Sequence, residues 1–146
     1  MIYYMIIITL AAIDRVLKYF VTANIPQGGS QYLLGDLVVI TNIRNTGAAF
    51  STFTGRRAWL IAVTLLCIIV GLVYITRHRK NRSNFLLTSL SMVIAGGIGN
   101  LADRIMHGYV TDYISVGSFP VFNFADICVV TGCVFLCIYV LFLDRN

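Results

Sequence analysis

Four apolar runs dominate this chain: about Ile2 to Val21, Ala58 to Thr76, Phe85 to Ala102, and about Val121 to Leu143. Each is close to the roughly 20 residues needed to cross a hydrocarbon core about 30 Å thick. In that medium every backbone polar group needs a partner within the protein, so the runs are predicted to be helices. Charged residues make up only 12% of the chain, against 58% hydrophobic. A soluble domain carries about twice that charged share, so the expected class is an all-α integral membrane protein of one domain, residues 1–146. The first run lacks a basic leading region and is interrupted by Asp14, Arg15 and Lys18. It is expected to be a retained helix rather than a cleaved leader.

The net charge of +5 raises nucleic-acid binding as a class. Basic residues are few, however, and Arg77, Arg79, Lys80 and Arg82 cluster between the second and third runs. In a membrane protein such a cluster marks the cytoplasmic loop. Both termini are then expected in the cytoplasm, with the connections 22–57 and 103–120 outside. Arg44, Arg56 and Arg57 on the outer side weaken the bias without reversing it. Within the first outer connection, Pro26 to Gln31 reads as a turn and Leu37 to Ile43 as a strand. The expected fold is four transmembrane helices with a small extracytoplasmic β-element between the first and second.

The acids pose the functional question. All six are Asp, at 14, 36, 103, 112, 126 and 144. An Asp at the centre of an inserted helix costs about 2.5–3.5 kcal/mol. Four left unpaired at depth would cost on the order of 10 kcal/mol, so such groups face a bundle interior or a wet cavity and mark a site. Asp14 and Lys18 are four apart and share a helix face, either as a neutralising ion pair or as support for a site. Asn100, Asp103 and Arg104 also share a face if the third helix continues that far. Asp112 follows a turn at His107 to Tyr109, near the outer boundary. Asn123 and Asp126 begin the fourth run from the same side. Two carboxylates at one depth on neighbouring segments can meet, although the same spacing also fits two unrelated surface acids.

Meeting would matter. Carboxylates 4 Å apart repel by about 1 kcal/mol in bulk water and about 4 kcal/mol at an effective dielectric of 20. The larger figure corresponds to roughly 3 pKa units. One proton is then shared, leaving an acid and a base in the same site. Other chemistries lack their residues. His78 lies in the basic loop, there is no GxSxG, HExxH or GxGD, and "QGGS" has no phosphate-binding Lys. The four cysteines form no CxxC pair. Two non-peptidase classes remain on residue grounds: an ion-relaying transporter, and a non-catalytic lipid-binding or assembly scaffold.

Four blocks carry a resemblance across nearly the whole chain: "DRVLK" (Asp14 to Lys18), "NTGAAFS" (Asn45 to Ser51), "GGIGNLADRIMHGYVTDYI" (Gly96 to Ile114) and "FNFAD" (Phe122 to Asp126). Together they resemble the bacterial lipoprotein signal peptidases, the type II signal peptidases. The resemblance implies an aspartic endopeptidase of the inner membrane, sensitive to globomycin. Such an enzyme removes signal peptides from prolipoproteins by cutting just before a diacylglyceryl-modified Cys, with an activated water and without cofactor or metal. It implies Asp112 and Asp126 as the catalytic pair near the outer leaflet. Asn45, Asn100, Arg104 and Asn123 would line the site or contact substrate, and Asp14, Lys18 and Asp103 would support it. The implied partners are the prolipoprotein and membrane lipid, with no nucleic acid; oligomeric state is left open. Three positions depart from the family pattern: Arg15 where Gln is common, Leu17 where a small hydroxyl residue is common, and Tyr113 where Phe is common.

Overall fold

A computed structural model describes residues 1–47 and 57–143. Residues 48–51 of the "NTGAAFS" block, Arg56 and Asp144 lie outside the described residues. The elements are α1 (Ile2–Asn24), β1 (Ser30–Leu34), β2 (Val38–Asn45), α2 (Arg57–His78), α3 (Asn84–Met106), β3 (Val110–Val116) and α4 (Phe124–Ile138), which ends in a π-helical turn, Tyr139–Leu143.

Among the described residues, three helices are long and apolar enough to cross a membrane: α2, α3, and α4 with its terminal turn. The first helix, α1, is as long as α3 at 23 residues, but it carries three charges. The reason it tolerates them is visible in the packing. Asp14 and Lys18 are 1% and 2% exposed, turned into the bundle, while Ile2, Met5, Ile8, Val16 and Phe20 are exposed around the remaining surface. The outer face of α2 is likewise apolar and uncovered, with Leu66, Ile69 and Val70 exposed. Uncovered apolar surface on this scale is what a helix presents to lipid.

The central helix is α3, which packs against α1, α2 and α4. Small residues let it do so. A Cβ on Gly96 would overlap the Ala125 carbonyl oxygen and stand 2.7 Å from Val129 Cγ2. A Cβ on Gly99 would overlap the Asp14 carboxylate. On the other side of the contact, Gly132 of α4 lies against the backbone at Ser89 and Val93. The buried hydroxyls of Ser89 and Ser91 donate to the Phe85 and Leu87 carbonyls, each at 2.7 Å. These two hydroxyls are therefore satisfied within the helix itself.

The sheet differs from the expected one in one respect. Its hairpin, β1–β2, does lie between α1 and α2, but a third strand, β3, joins from the connection after α3. That stretch, Val110–Val116, is rich in β-branched residues but does not alternate, its first four residues all being buried. The turn preceding it, with Gly108 at φ +86°, reverses the chain. β3 runs antiparallel to β2, pairing Asn45 with Val110 and Ile43 with Asp112. The following residues fold back so that Phe122 exchanges backbone hydrogen bonds with Ile114 at 2.7 and 3.0 Å. The start of α4 is thereby fixed beside Asp112.

Candidate active site

The site is assembled from β2, β3, α3 and the first turn of α4. Asn123 is the N-cap of α4 and Asp126 its third residue, joined in a capping box. The Asn123 side-chain oxygen accepts from the Asp126 N–H at 3.0 Å, and Asp126 Oδ2 accepts from the Asn123 N–H at 3.2 Å. This pairing satisfies two backbone donors at the helix end. The other two N–H groups of that turn are held from elsewhere. Phe124 donates to the Tyr113 hydroxyl oxygen at 3.2 Å, and Ala125 donates to Asp14 Oδ1 at 3.0 Å.

Both carboxylates touch one residue. Asn123 Nδ2 donates to Asp112 Oδ1 at 2.7 Å, while the backbone N–H of Asn123 donates to Asp126 Oδ2. Asn45 Nδ2 donates to Asp112 Oδ2 at 2.8 Å, and Asn100 Nδ2 donates to Asp126 Oδ1 at 2.8 Å. Each carboxylate thus has donors on both oxygens. Asp112 and Asp126 line one cavity of about 560 Å³ together with Asn45, Asn100 and Arg104. Its remaining wall is apolar, formed by Phe119, Pro120, Phe122, Ile127 and Val130. The cavity therefore joins a polar floor to an apolar wall.

Asp112, on β3, is 4% exposed. Burial pushes its carboxyl up from 3.8 to about 6, and the nearby Asp126 charge adds to this. The donors Asn45 and Asn123 and the charge of Lys18 act in the opposite direction. Burial wins because it penalises the ionised form more than the donors stabilise it.

Arg104 does not pair with its neighbour Asp103. Its guanidinium donates to the Asn100 and Gly47 carbonyls at 3.3 and 3.2 Å, which holds it at the cavity wall. Asp103 turns away to meet Lys18 at 3.0 Å and Arg15 at 3.0 Å. Asp14 meets Lys18 at 2.9 Å. Asp14 Oδ2 and Asp103 Oδ1 accept no directional hydrogen bond; the ammonium of Lys18 and the guanidinium of Arg15, respectively, are their partners.

The family model for signal peptidase (SPase) II matches residues 6–142. The chain belongs to the signal peptidase II family. A lipoprotein signal peptidase from Dehalococcoides mccartyi is 41% identical over 124 residues, 82% of this chain and 76% of the relative. One from Halothermothrix orenii is 35% identical over 137 residues, 93% of this chain and 92% of the relative. A bacterial membrane enzyme solved by the in meso method at 2.3 Å is 25% identical, with a TM-score of 0.89 over 99% of this chain and 93% of its own. Signal peptidase II membership makes this chain a membrane peptidase, and the family's work is the removal of signal peptides from prolipoproteins.

Within this signal peptidase II chain, Asn45, Asn100, Arg104, Asp112 and Asp126 face the cavity. Asn123 is fully buried beneath them, and Asp14, Lys18 and Asp103 lie behind. Two groups at the site were not singled out from the sequence for the parts they play. The Tyr113 hydroxyl reaches the N-terminus of α4, and its only sequence signal is a departure from the family's Phe. The apolar wall at Phe119 to Phe122 could have been recognised as an apolar stretch carrying a Pro, hence outside a helix.

Proposed function

We propose that the chain is an aspartic endopeptidase with four membrane spans, α1 being the fourth, built as a single domain. It removes the signal peptide of a diacylglyceryl-modified prolipoprotein by cutting just before the lipidated Cys. The basic loop between α2 and α3 lies in the cytoplasm, as do both termini. The sheet and cavity lie at the outer surface of the inner membrane. The observation that carries this reading is the convergence of Asp112 and Asp126 on Asn123 in one cavity that is polar below and apolar at the side.

The chemistry follows from two carboxylates holding one proton between them. The ionised member takes a proton from a water molecule, whose oxygen attacks the scissile carbonyl. The protonated member donates to the carbonyl oxygen as it gains charge. Collapse of the gem-diol expels the Cys amine, which takes a proton from one carboxyl, while a gem-diol hydroxyl returns its proton to the other carboxylate as the product acid forms, so the dyad again holds one proton. Asn45, Asn100 and Asn123 hold the carboxylates in place, and Arg104 presents guanidinium N–H groups to a peptide carbonyl at the cavity wall. The apolar wall receives the acyl chains, and globomycin competes for the same cavity.

The test is cleavage of diacylglyceryl-modified and unmodified prolipoprotein by the purified enzyme, with products read by mass spectrometry. The modified substrate should yield a chain beginning at the lipidated Cys, at least 100-fold faster than the unmodified one. Equal rates, or a cut elsewhere, would refute this specificity.

A second expectation concerns pH. Asn45 stabilises the ionised form of Asp112, so Asn45→Ala should raise that carboxyl further above about 6. Cleavage needs an ionised carboxylate, so the acidic limb of the rate profile should move to higher pH. The loss should be greater at pH 5.5 than at pH 8, and an unmoved acidic limb would contradict it.

A further inference from the structure

The residue immediately before each proposed catalytic Asp has its backbone N–H held by a buried carboxylate. Thr111, before Asp112, donates to Asp103 Oδ2 at 3.1 Å. Ala125, before Asp126, donates to Asp14 Oδ1 at 3.0 Å. One ammonium ties these two carboxylates together: Lys18 Nζ is 2.9 Å from Asp14 Oδ2 and 3.0 Å from Asp103 Oδ2. Its third contact is Asn100 Oδ1 at 3.2 Å, and the amide nitrogen of that Asn100 donates to Asp126 Oδ1. An ammonium has three donors. Here each leads, through one further group, to the backbone beside a catalytic carboxylate or to the carboxylate itself.

We propose that Lys18 is the positioning residue that sets the separation between Asp112 and Asp126. This inference rests on the dyad reading above. The parts are rigid. Lys18, Asp14 and Asp103 are at most 2% exposed, so water does not compete for the contacts. The tied atoms are backbone amides in a strand and in a helix turn, which cannot swing as side chains do. The tie also crosses elements, because Asp14 and Lys18 lie on α1, Asp103 on α3, Thr111 on β3 and Ala125 on α4. Arg15 balances the second acid through Asp103 at 3.0 Å. Among the described residues, the cluster is also faced by the His107 ring, 3.9 Å from Asp103, by Arg104 toward Asp103, by Tyr113 and Cys128 toward Asp14, and by Asp112 toward Lys18.

A cluster that served only to neutralise buried charge would make a different prediction. Removing the positive charge of Lys18 moves both limbs of the rate profile in the same direction. Removing a spacer changes the distance between the limbs, because the coupling of two carboxylates falls as they separate.

Lys18→Met, which keeps the stem and removes the ammonium, tests this. Purified full-length protein in detergent is compared with wild type for thermal unfolding, substrate Kd and single-turnover cleavage from pH 4 to 9. The expected result is a single-turnover rate at least 100-fold lower, a Kd within threefold of wild type, and limbs closer by one pH unit or more. A folded variant with the wild-type rate, or with wild-type limb separation, overturns the proposal. If Lys18→Met does not fold, the triple variant Asp14→Asn, Lys18→Met, Asp103→Asn keeps an oxygen for each backbone N–H but lacks the tie, and the same thresholds apply to it. Asp112→Asn and Asp126→Asn are assayed alongside. Normal cleavage by either would remove the dyad reading itself, whereas inactive dyad variants beside a normal Lys18 variant would remove only the positioning role.

Discussion

Asp112→Asn and Asp126→Asn are each expected to lower the single-turnover cleavage rate by roughly 10³-fold or more, about 4 kcal/mol of barrier. Neither should prevent folding. At Asp112 two effects on stability oppose each other. Its carboxyl is protonated more readily in the folded protein, at about 6, than its ordinary value of 3.8. The native state therefore binds more protons between those values, and wild-type stability falls as pH rises through that window. Above it the folded protein carries a penalty of about 3 kcal/mol, which Asn removes.

Against this, Asn keeps one acceptor where Asp112 had two. Asn45 and Asn123 present donors to both oxygens, so one would face an amide NH₂. Neither can rotate freely, because the Asn45 oxygen accepts from the Gly47 N–H and the Asn123 oxygen from the Asp126 N–H, each at 3.0 Å. An unmatched buried group costs about 1–3 kcal/mol. The two effects nearly cancel, so stability at pH 7 should remain within about 2 kcal/mol of wild type. Thermal unfolding in detergent checks the sign: Asp112→Asn should gain on wild type as pH rises from 4 to 6. A steady loss over that range would contradict the buried-carboxyl account.

Gly96→Ala should produce the other large effect. The added methyl would overlap the Ala125 carbonyl oxygen and crowd Val129 Cγ2 at 2.7 Å and its backbone N at 3.1 Å. Two of these three are backbone atoms, so a side-chain rotation cannot relieve them and α4 must move away from α3. Overpacking of this kind costs about 1–3 kcal/mol, occasionally more. The displaced carbonyl belongs to the residue before Asp126, so activity should fall at least 100-fold. Gly97→Ala is the control. Its methyl would meet Ile68 and Thr64 at 3.4–3.8 Å, ordinary contact, and should leave unfolding temperature and activity near wild type. Equal behaviour of the two variants would show that close approach of α3 and α4 does not place the site.

The sequence made some of this legible and hid the rest for physical reasons. Asp14 and Lys18 could be placed on one face because helical periodicity is local. Asn123 and Asp126 could be placed at the start of an apolar run, where an Asn followed three residues later by an acid forms a cap. What α1 would pack against was not legible, and so neither was the fate of Asp103. Its neighbour Arg104 is the obvious partner in the sequence, yet Lys18 and Arg15 are the partners in space. The sequence predicts no strand in the connection 103–120, where β3 lies, because its pairing partner is 65 to 78 residues earlier across two helices, as in Asn45 with Val110 and Val38 with Val116. Long-range pairing leaves little trace in a local pattern.

The order in which the parts emerge has a bearing on biogenesis. The two proposed catalytic acids, their asparagines and the ammonium behind them are drawn from positions 18 to 126 of the chain, and the first turn of α4 leaves the ribosome last. Until then a nascent chain has Asp112 without Asp126, the second acid of the proposed dyad. On the proposed dyad, competence to cut therefore arises only after the first turn of α4 has been made and has docked beside β3.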